Sequence, residues 1–509
     1  MQGKKDYQEQ LFVSFQLSER VSKDNFYRRL KEQLDLEFLR PLTLKYYGTE
    51  GQKSIDPVVF FKLILMGYLE NLNSDRKIIE HASVRLDILF FIGYDIYEEL
   101  PWHSTISRTR ALYGEEVFKE LFNKVLSLCV SKNMVGGKRQ AIDSAYIKAN
   151  ASMDSLVEKE ILADGNTFAD ELIANEEGAN TVTAAKKKQV EQHHNWKAKE
   201  YKGQPQGRRK ASEDTFENEK EEEERKLAGK FLSNHTHYST TDGDARISTK
   251  PGKPRQLNYS AQTSVDTKAH VITNIMADFS DKRDSQSLAA AVEQTKENLL
   301  KNNLKLEEVL ADTGYSSGEA LKYLSENNIT GYIPNFGLYK QSRAGFTFNK
   351  ENDEYTCTQG KKLTYKTTRN QKGYLQKEYR SSRKDCKDCP LRSTCIGTSN
   401  EKKITDSIDK PYYDEMHERL QTRKAKILKK MRSSTVEPVL GTLINFRGMK
   451  RIWTRGIKSA NKFMIGAATA YNLKKWMKFK VKKVNIQVAE LPIPQKGWNS
   501  TVQTYFYAL

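Results

Sequence analysis

An aspartate stands in the middle of a short apolar, strand-like stretch, Ala141-Ile142-Asp143-Ser144-Ala145-Tyr146-Ile147, and no other feature constrains the fold as much. A carboxylate on an interior strand loses its hydration, which penalises the charged form unless a cation sits against it. The chain must therefore bring a basic side chain or a metal ion to Asp143. A second stretch of the same kind lies far downstream, where Glu308-Val309-Leu310-Ala311 ends on Asp312 before Thr313-Gly314-Tyr315 and a helical pattern. Two acids at strand positions point to one metal site assembled from distant segments.

At 509 residues the chain is long enough for two to four domains. Its net charge of +19 makes a polyanion, most commonly nucleic acid, the expected partner; a basic surface kept for solubility is the plainer alternative. No run approaches the roughly 18 apolar residues of a membrane span. The start of the chain lacks the apolar core of a signal peptide, so the expectation is a cytoplasmic protein with no membrane partner. Of five cysteines, Cys129 is isolated in a helical pattern and Cys357, Cys386, Cys389 and Cys395 are gathered; in a reducing compartment these read as free thiols or as one structural Zn²⁺ site.

Residues 1–132 read as a helical region for DNA binding or dimerisation. Within it Asp56-Pro57 opens a strong helix, and Ser104 to Arg110 reads as a short, hydroxyl-capped helix of helix-turn-helix type exposing Arg108 and Arg110, against the alternative of ordinary helical packing. The segment 151–237 is charged and poor in apolar residues, an insertion in which the paired His193 and His194, with His235 and His237, are weak metal candidates. Strand signals resume in a hairpin, Leu257–Asp266 and His270–Ala277. With the Asp143 strand in front, the order across 133–150 and 238–345 is β-β-β-α-β-α-β, a mixed α/β core with helices covering a central sheet. A polar, β-prone Cys-cluster insertion follows at 346–399. The core then returns at 400–480 with a basic helix over 412–431, ending near Arg432, and a basic tail occupies 481–509.

Several phrases in this order resemble the DDE transposases of bacterial insertion sequences: Pro101-Trp102-His103-Ser104-Thr105, Ala141-Ile142-Asp143-Ser144, Ser239 to Arg246, the hairpin, Ala311-Asp312-Thr313-Gly314-Tyr315, and Val436-Glu437 followed by Gly441. That resemblance implies a ribonuclease H-like mixed sheet flanked by helices, with Asp143, Asp312 and Glu437 as the acidic triad. It implies two Mg²⁺ ions, with Mn²⁺ able to substitute, bound by those carboxylates and used to cut and rejoin DNA. The implied partners are double-stranded DNA, as inverted-repeat ends and as target, and a second copy of the chain. The long insertion after Ala151 and the basic residue at Arg432 depart from the family pattern.

Each acid has a structural alternative. Asp143 could be a buried ion-pair partner, Asp312 a turn former, and Glu437 the start of a helix, since Ser434 precedes it by three positions and Pro438 disfavours helix at 437. Glu415 and Glu418 read as solvated helical acids, and Asp242 and Asp244 as an acidic turn near the site or an Asx turn. Beyond Glu437, Arg447, Lys450, Arg451, Arg455 and Lys458 recur around Trp453 and, with Arg432, read as a DNA track; Trp453 reads equally as a stacking platform for a base or as core. The competing functions are a DNA-binding protein of transposase origin without catalysis, and a ribonuclease H-like nuclease without strand transfer.

Overall fold

The computed structural model describes residues 16–48, 50, 54–158, 233–234, 237–248, 254–337, 339, 341–371 and 374–480. Most of the charged insertion, including His193, His194 and His235, and the tail from 481 lie outside the described residues.

Eight helices open the described chain: α1 (Leu17–Arg20), α2 (Phe26–Gln33), α3 (Leu39–Thr43), α4 (Pro57–Leu69), α5 (Asp75–Ser83), α6 (Leu86–Ile92), α7 (His103–Leu112) and α8 (Glu115–Ser131). α4 begins as its sequence predicts, with Pro57 at the first helical position and the Asp56 carboxylate accepting from the Val58 N–H at 2.7 Å. It is apolar on every side, and Phe60, Phe61, Leu63, Leu65 and Met66 are all buried, which makes it a central helix rather than a surface one. α7 starts at His103, one residue before the expected hydroxyl cap, and no side chain caps it.

The strands of the core are β1 (Arg139–Lys148), β2 (Leu156–Glu158), β3 (His237–Ser239), β4 (Arg246–Ser248), β5 (Gln256–Asp266), β6 (Ile272–Phe279), β7 (Glu308–Leu310) and β8 (Thr330–Tyr332). α9 (Asp284–Leu300) and α10 (Gly318–Glu326) follow β6 and β7. β1 is central, antiparallel to β5 and parallel to β7, which is itself parallel to β8. β6 and β4 share the far edge of the long strand β5. The predicted β-β-β-α-β-α-β order holds, with β4 as an added edge piece. β2 and β3 pair antiparallel, joining the two ends of the charged insertion.

β9 (Phe346–Asn349), β10 (Glu354–Cys357), β11 (Lys362–Gln371), β12 (Tyr374–Ser381) and β13 (Lys403–Ser407) form a separate antiparallel sheet, with α11 (Arg383–Lys387) and α12 (Arg392–Cys395) between the last two strands. Its core is small and its own: Tyr355, Leu363, Tyr379 and Ile404. The insertion therefore runs past its predicted limit at 399, because β13 is needed to pair with β12.

The chain closes with α13 (Lys410–Gln421), α14 (Arg423–Phe446) and α15 (Ile457–Lys478). α15 is wedged between β6 on one side and α4 and α8 on the other. Gly466 lets it approach α4, since a Cβ there would lie 2.5 Å from the Tyr68 ring. The buried Lys462 donates to the Arg110 and Tyr113 carbonyls at 2.7 and 2.9 Å. One continuous core thus runs from the N-terminal helices into the sheet, and position 132 marks a change of secondary structure inside it. α14 corrects another expectation: it runs unbroken through Ser434, Glu437 and Pro438, so Glu437 lies in a helix interior and not at a helix start. Buried Val436, Val439, Leu440 and Leu443 hold that segment against the core and override the local preference of the proline.

Candidate active site

β1 and β7 pair in parallel with Ala141 opposite Leu310, and extending that register by two residues sets Asp312 beside Asp143. Asp143 is largely buried, its side chain 16% exposed. Burial pushes its carboxyl up to about 6, and the charge of Asp312 adds to the rise; the Ser144 N–H, at 2.8 Å, and Arg432 pull the other way. Asp312 is half-buried at the end of the strand, where its Oδ1 accepts from the Gly314 N–H at 2.9 Å. It is therefore a turn former and a neighbour of Asp143 at once.

α14 packs across β1 and β5 and brings the third acid. Its first turns are anchored where buried Glu308 on β7 accepts from Lys424 at 2.6 Å and from Arg139 on β1 at 2.5 Å. Farther along, Arg432 donates from Nη1 to Asp143 Oδ2 at 2.9 Å and from Nη2 to Glu437 Oε1 at 3.2 Å. The basic side chain that Asp143 demands is thus Arg432. Glu437 is 58% exposed and reaches Asp143 only through that guanidinium.

A fourth acid, not anticipated from the sequence, completes the surroundings. Asp284, the first residue of α9, accepts from Gln262 Nε2 at 3.2 Å. A Cβ on Gly314 would lie 3.1 Å from Asp312 Oδ1 and 3.2 Å from Asp284 Oδ2, so the two carboxylates flank one glycine. The buried Tyr315, bonded to Gln262, has its hydroxyl pushed well above its ordinary value by burial and by the charges of Asp284, Asp143 and Asp312. An acid opening the helix after a hairpin is a faint sequence signal, since acids favour any helix start.

The donors are carboxylate oxygens, the hard ligands a divalent cation takes, and the mutual repulsion of Asp143 and Asp312 is what such an ion relieves. In chemistry the pair fits a metal. Among the described residues, however, no three His, Cys, Asp or Glu side chains are grouped to hold one, and Glu437 is turned onto Arg432. The zinc reading meets the same limit. Cys357 lies on β10, Cys386 on α11 beside Ser381 Oγ at 3.0 Å, Cys389 between the two short helices, and Cys395 at the end of α12; all four are free, and no metal-holding group forms among them.

The expected DNA contacts divide into two sets. Arg110 makes a two-pronged pair with Asp75 on α5 and is shielded from solvent; Arg447 is buried and donates to the Leu69 carbonyl at 3.1 Å. Both are internal braces whose guanidinium groups are spent on the protein itself. Arg108, Lys450, Arg455 and Lys458 are exposed. The loop after α14 is laid along the end of β1, where the Ile452 N–H donates to the Lys148 carbonyl at 2.8 Å. Trp453 is 47% exposed, which settles against the core reading, and the Arg451 guanidinium lies 4.9 Å from its ring. Cavities of about 480 and 710 Å³ open on either side, both lined by Asn73 and Trp453. Asn73 Oδ1, Arg451 Nε and Thr454 Oγ1 are buried there without a hydrogen-bond partner.

Asp242 and Asp244 turn out to be anchors for this loop. Asp242 is buried and accepts from the Tyr259 hydroxyl at 2.7 Å and the Gly456 N–H at 3.0 Å; Asp244 accepts from the Ile457 N–H, the start of α15, at 2.9 Å.

A six-stranded mixed sheet with a central acid-bearing strand, flanked by helices and preceded by a helical region, is a ribonuclease H-like core. Residues 15–112 match the family described as Transposase domain (DUF772), and residues 356–477 match the family described as Transposase DDE domain. Together the matches support a DDE transposase of an insertion sequence. Glu437 lies inside the second match, and Asp143 and Asp312 lie outside both. No curated protein matches the chain. No described helix is long and apolar enough to cross a membrane.

Proposed function

We propose that the protein binds the inverted-repeat ends of its own element, cleaves DNA strands there and joins the 3′ ends to target DNA, with Asp143, Asp312 and Glu437 as the catalytic acids. The observation that carries this reading is Asp143 on β1 and Asp312 two residues past the end of the parallel strand β7, near enough for the charge of Asp312 to raise the Asp143 carboxyl, with Glu437 linked to Asp143 through Arg432. Asp143 and Asp312 would hold a divalent ion, Mg²⁺ or Mn²⁺, and Glu437 would join them. When bound, such ions polarise the phosphoryl oxygens and lower the pKa of an attacking water.

The chain's own residues supply the rest. Ala145, buried and two residues along β1 on the same face as the largely buried Asp143, helps exclude bulk water on the strand side. Arg108, Lys450, Arg455 and Lys458, all exposed, would take backbone phosphates, and Trp453 a base face. Lys148 is five residues beyond Asp143 on the same strand, so the basic loop paired with it lies about 16 Å from the acids, within the length of a few nucleotides. Two ends must be held in one reaction, so the working unit would be a homodimer on DNA.

The test is metal-dependent cleavage and joining of a labelled duplex carrying the inverted repeat that flanks the gene, for the parent and for Asp143→Asn, Asp312→Asn and Glu437→Gln. Cutting and joining that fall at least about a hundredfold in every variant support the reading, since even groups that only orient metal ligands are worth 10–100-fold. Binding without cleavage in the parent leaves a DNA-binding protein, cleavage without joining a nuclease, and activity surviving in Glu437→Gln a wrong third acid.

A further inference from the structure

Arg432 contributes something the acidic triad does not require. Its guanidinium lies between Asp143 and Glu437, with Ser433 Oγ also 3.2 Å from Nη2, and its side chain is only 14% exposed. A guanidinium is planar, permanently charged and matched to carboxylate and phosphate alike. In this position it neutralises two of the three acids that a divalent ion would need, and it presents a positive charge to any such ion.

We propose that Arg432 is a DNA-operated latch on the metal site, which rests on the metal-site reading above. A phosphodiester brought to the mouth of the site competes with the two carboxylates for the guanidinium. The Glu437 arm is the weaker one, being solvent-exposed and at 3.2 Å, so it opens first. Once Arg432 has turned to phosphate, Asp143 loses its counter-charge while still repelling Asp312, and the three carboxylates take up a divalent ion together. Phosphate and metal then favour each other by the same factor, as thermodynamic linkage requires. A chain not engaged on DNA is kept poorly loaded with metal.

The experiment is titration with Mn²⁺, following the free ion by electron paramagnetic resonance. It is run on the full chain alone and on the chain saturated with a duplex already cut at the inverted-repeat end, so that binding rather than cleavage is read. The parent binds Mn²⁺ at least about tenfold more tightly with the duplex than without, in the usual range of such couplings. Arg432→Gln binds tightly without DNA, and the duplex adds little. Arg432→Lys, a point charge unable to span both carboxylates, falls between and guards against a folding defect in the glutamine variant, as does the circular dichroism of each. Equal Mn²⁺ affinity of the parent, Arg432→Gln and Arg432→Lys without DNA overturns the latch. Mn²⁺ binding unchanged by Asp143→Asn and by Asp312→Asn overturns the metal-site reading itself and is told apart by those two variants.

Discussion

Asp242→Ala is the perturbation that separates the loop's anchor from its contacts. The Asp242 carboxylate is 2% exposed and receives two hydrogen bonds, from the Tyr259 hydroxyl at 2.7 Å and from the Gly456 N–H at 3.0 Å. Burial, and then the bond to Asp242, hold the Tyr259 hydroxyl protonated well above its ordinary range, so it remains a donor at any working pH. Truncation leaves both donors with no acceptor. An abandoned buried donor costs about 1–3 kcal/mol, which puts the variant about 2–6 kcal/mol below the parent in urea unfolding. The loss should also reach DNA binding, because Gly456 closes the loop that carries Trp453 and Arg455. Asp242→Asn is the control: its amide oxygen keeps both bonds, its NH₂ replaces an Oδ2 that has no partner, and its cost should be less than half that of the alanine. A cost below about 0.5 kcal/mol for Asp242→Ala, the range of ordinary surface changes, would refute the anchoring argument.

Three further outcomes follow from the packing. Arg110→Ala strands Asp75 in a shielded pair and should destabilise by about 3–5 kcal/mol while leaving the salt dependence of DNA binding unchanged. Arg455→Ala should do the reverse, reducing the slope of log affinity against log salt by about 1 with no change in melting temperature. Gly466→Ala places a Cβ 2.5 Å from the Tyr68 ring and should cost about 1–3 kcal/mol by differential scanning calorimetry; a neutral result would mean that α4 and α15 are free to move apart.

The strands were legible because they are apolar runs ended by turns, but the parallel register that brings Asp312 up to Asp143 is set by tertiary pairing and was expected only from the family resemblance. Other features depended on tertiary partners that no local pattern encodes. The local rules for proline fail at Pro438 in α14: they forecast a break, while Val436, Val439 and Leu440 bury enough surface to carry the helix through. Net charge forecast a polyanion partner but could not sort cations, and Arg110, Arg447 and Lys462 prove to be internal braces beside exposed Lys450 and Arg455. Cysteine spacing left free thiols and a shared ion both open; the four thiols stand free, and no metal-holding group forms among the described residues. Asp284 went unseen because a helix-opening acid ordinarily has a local explanation.

Pro438 invites the last prediction, since it breaks a local rule one residue from a candidate catalytic acid. It lacks the N–H that would bond the Ser434 carbonyl, its ring crowds that turn, and it disfavours helical backbone at Glu437 itself. It is exposed, so its packing offers little in return. Pro438→Ala should therefore stabilise the fold by about 1–3 kcal/mol, the difference in helix preference less whatever the surrounding turn has already absorbed. If the proline sets the direction of the Glu437 side chain, the same substitution should lower DNA cleavage while raising the melting temperature, the trade expected where a site departs from the locally preferred structure. A higher melting temperature with unchanged cleavage would make Pro438 incidental to the site. An unchanged or lower melting temperature would show that α14 is built around the proline, and the argument from helix preference would fail.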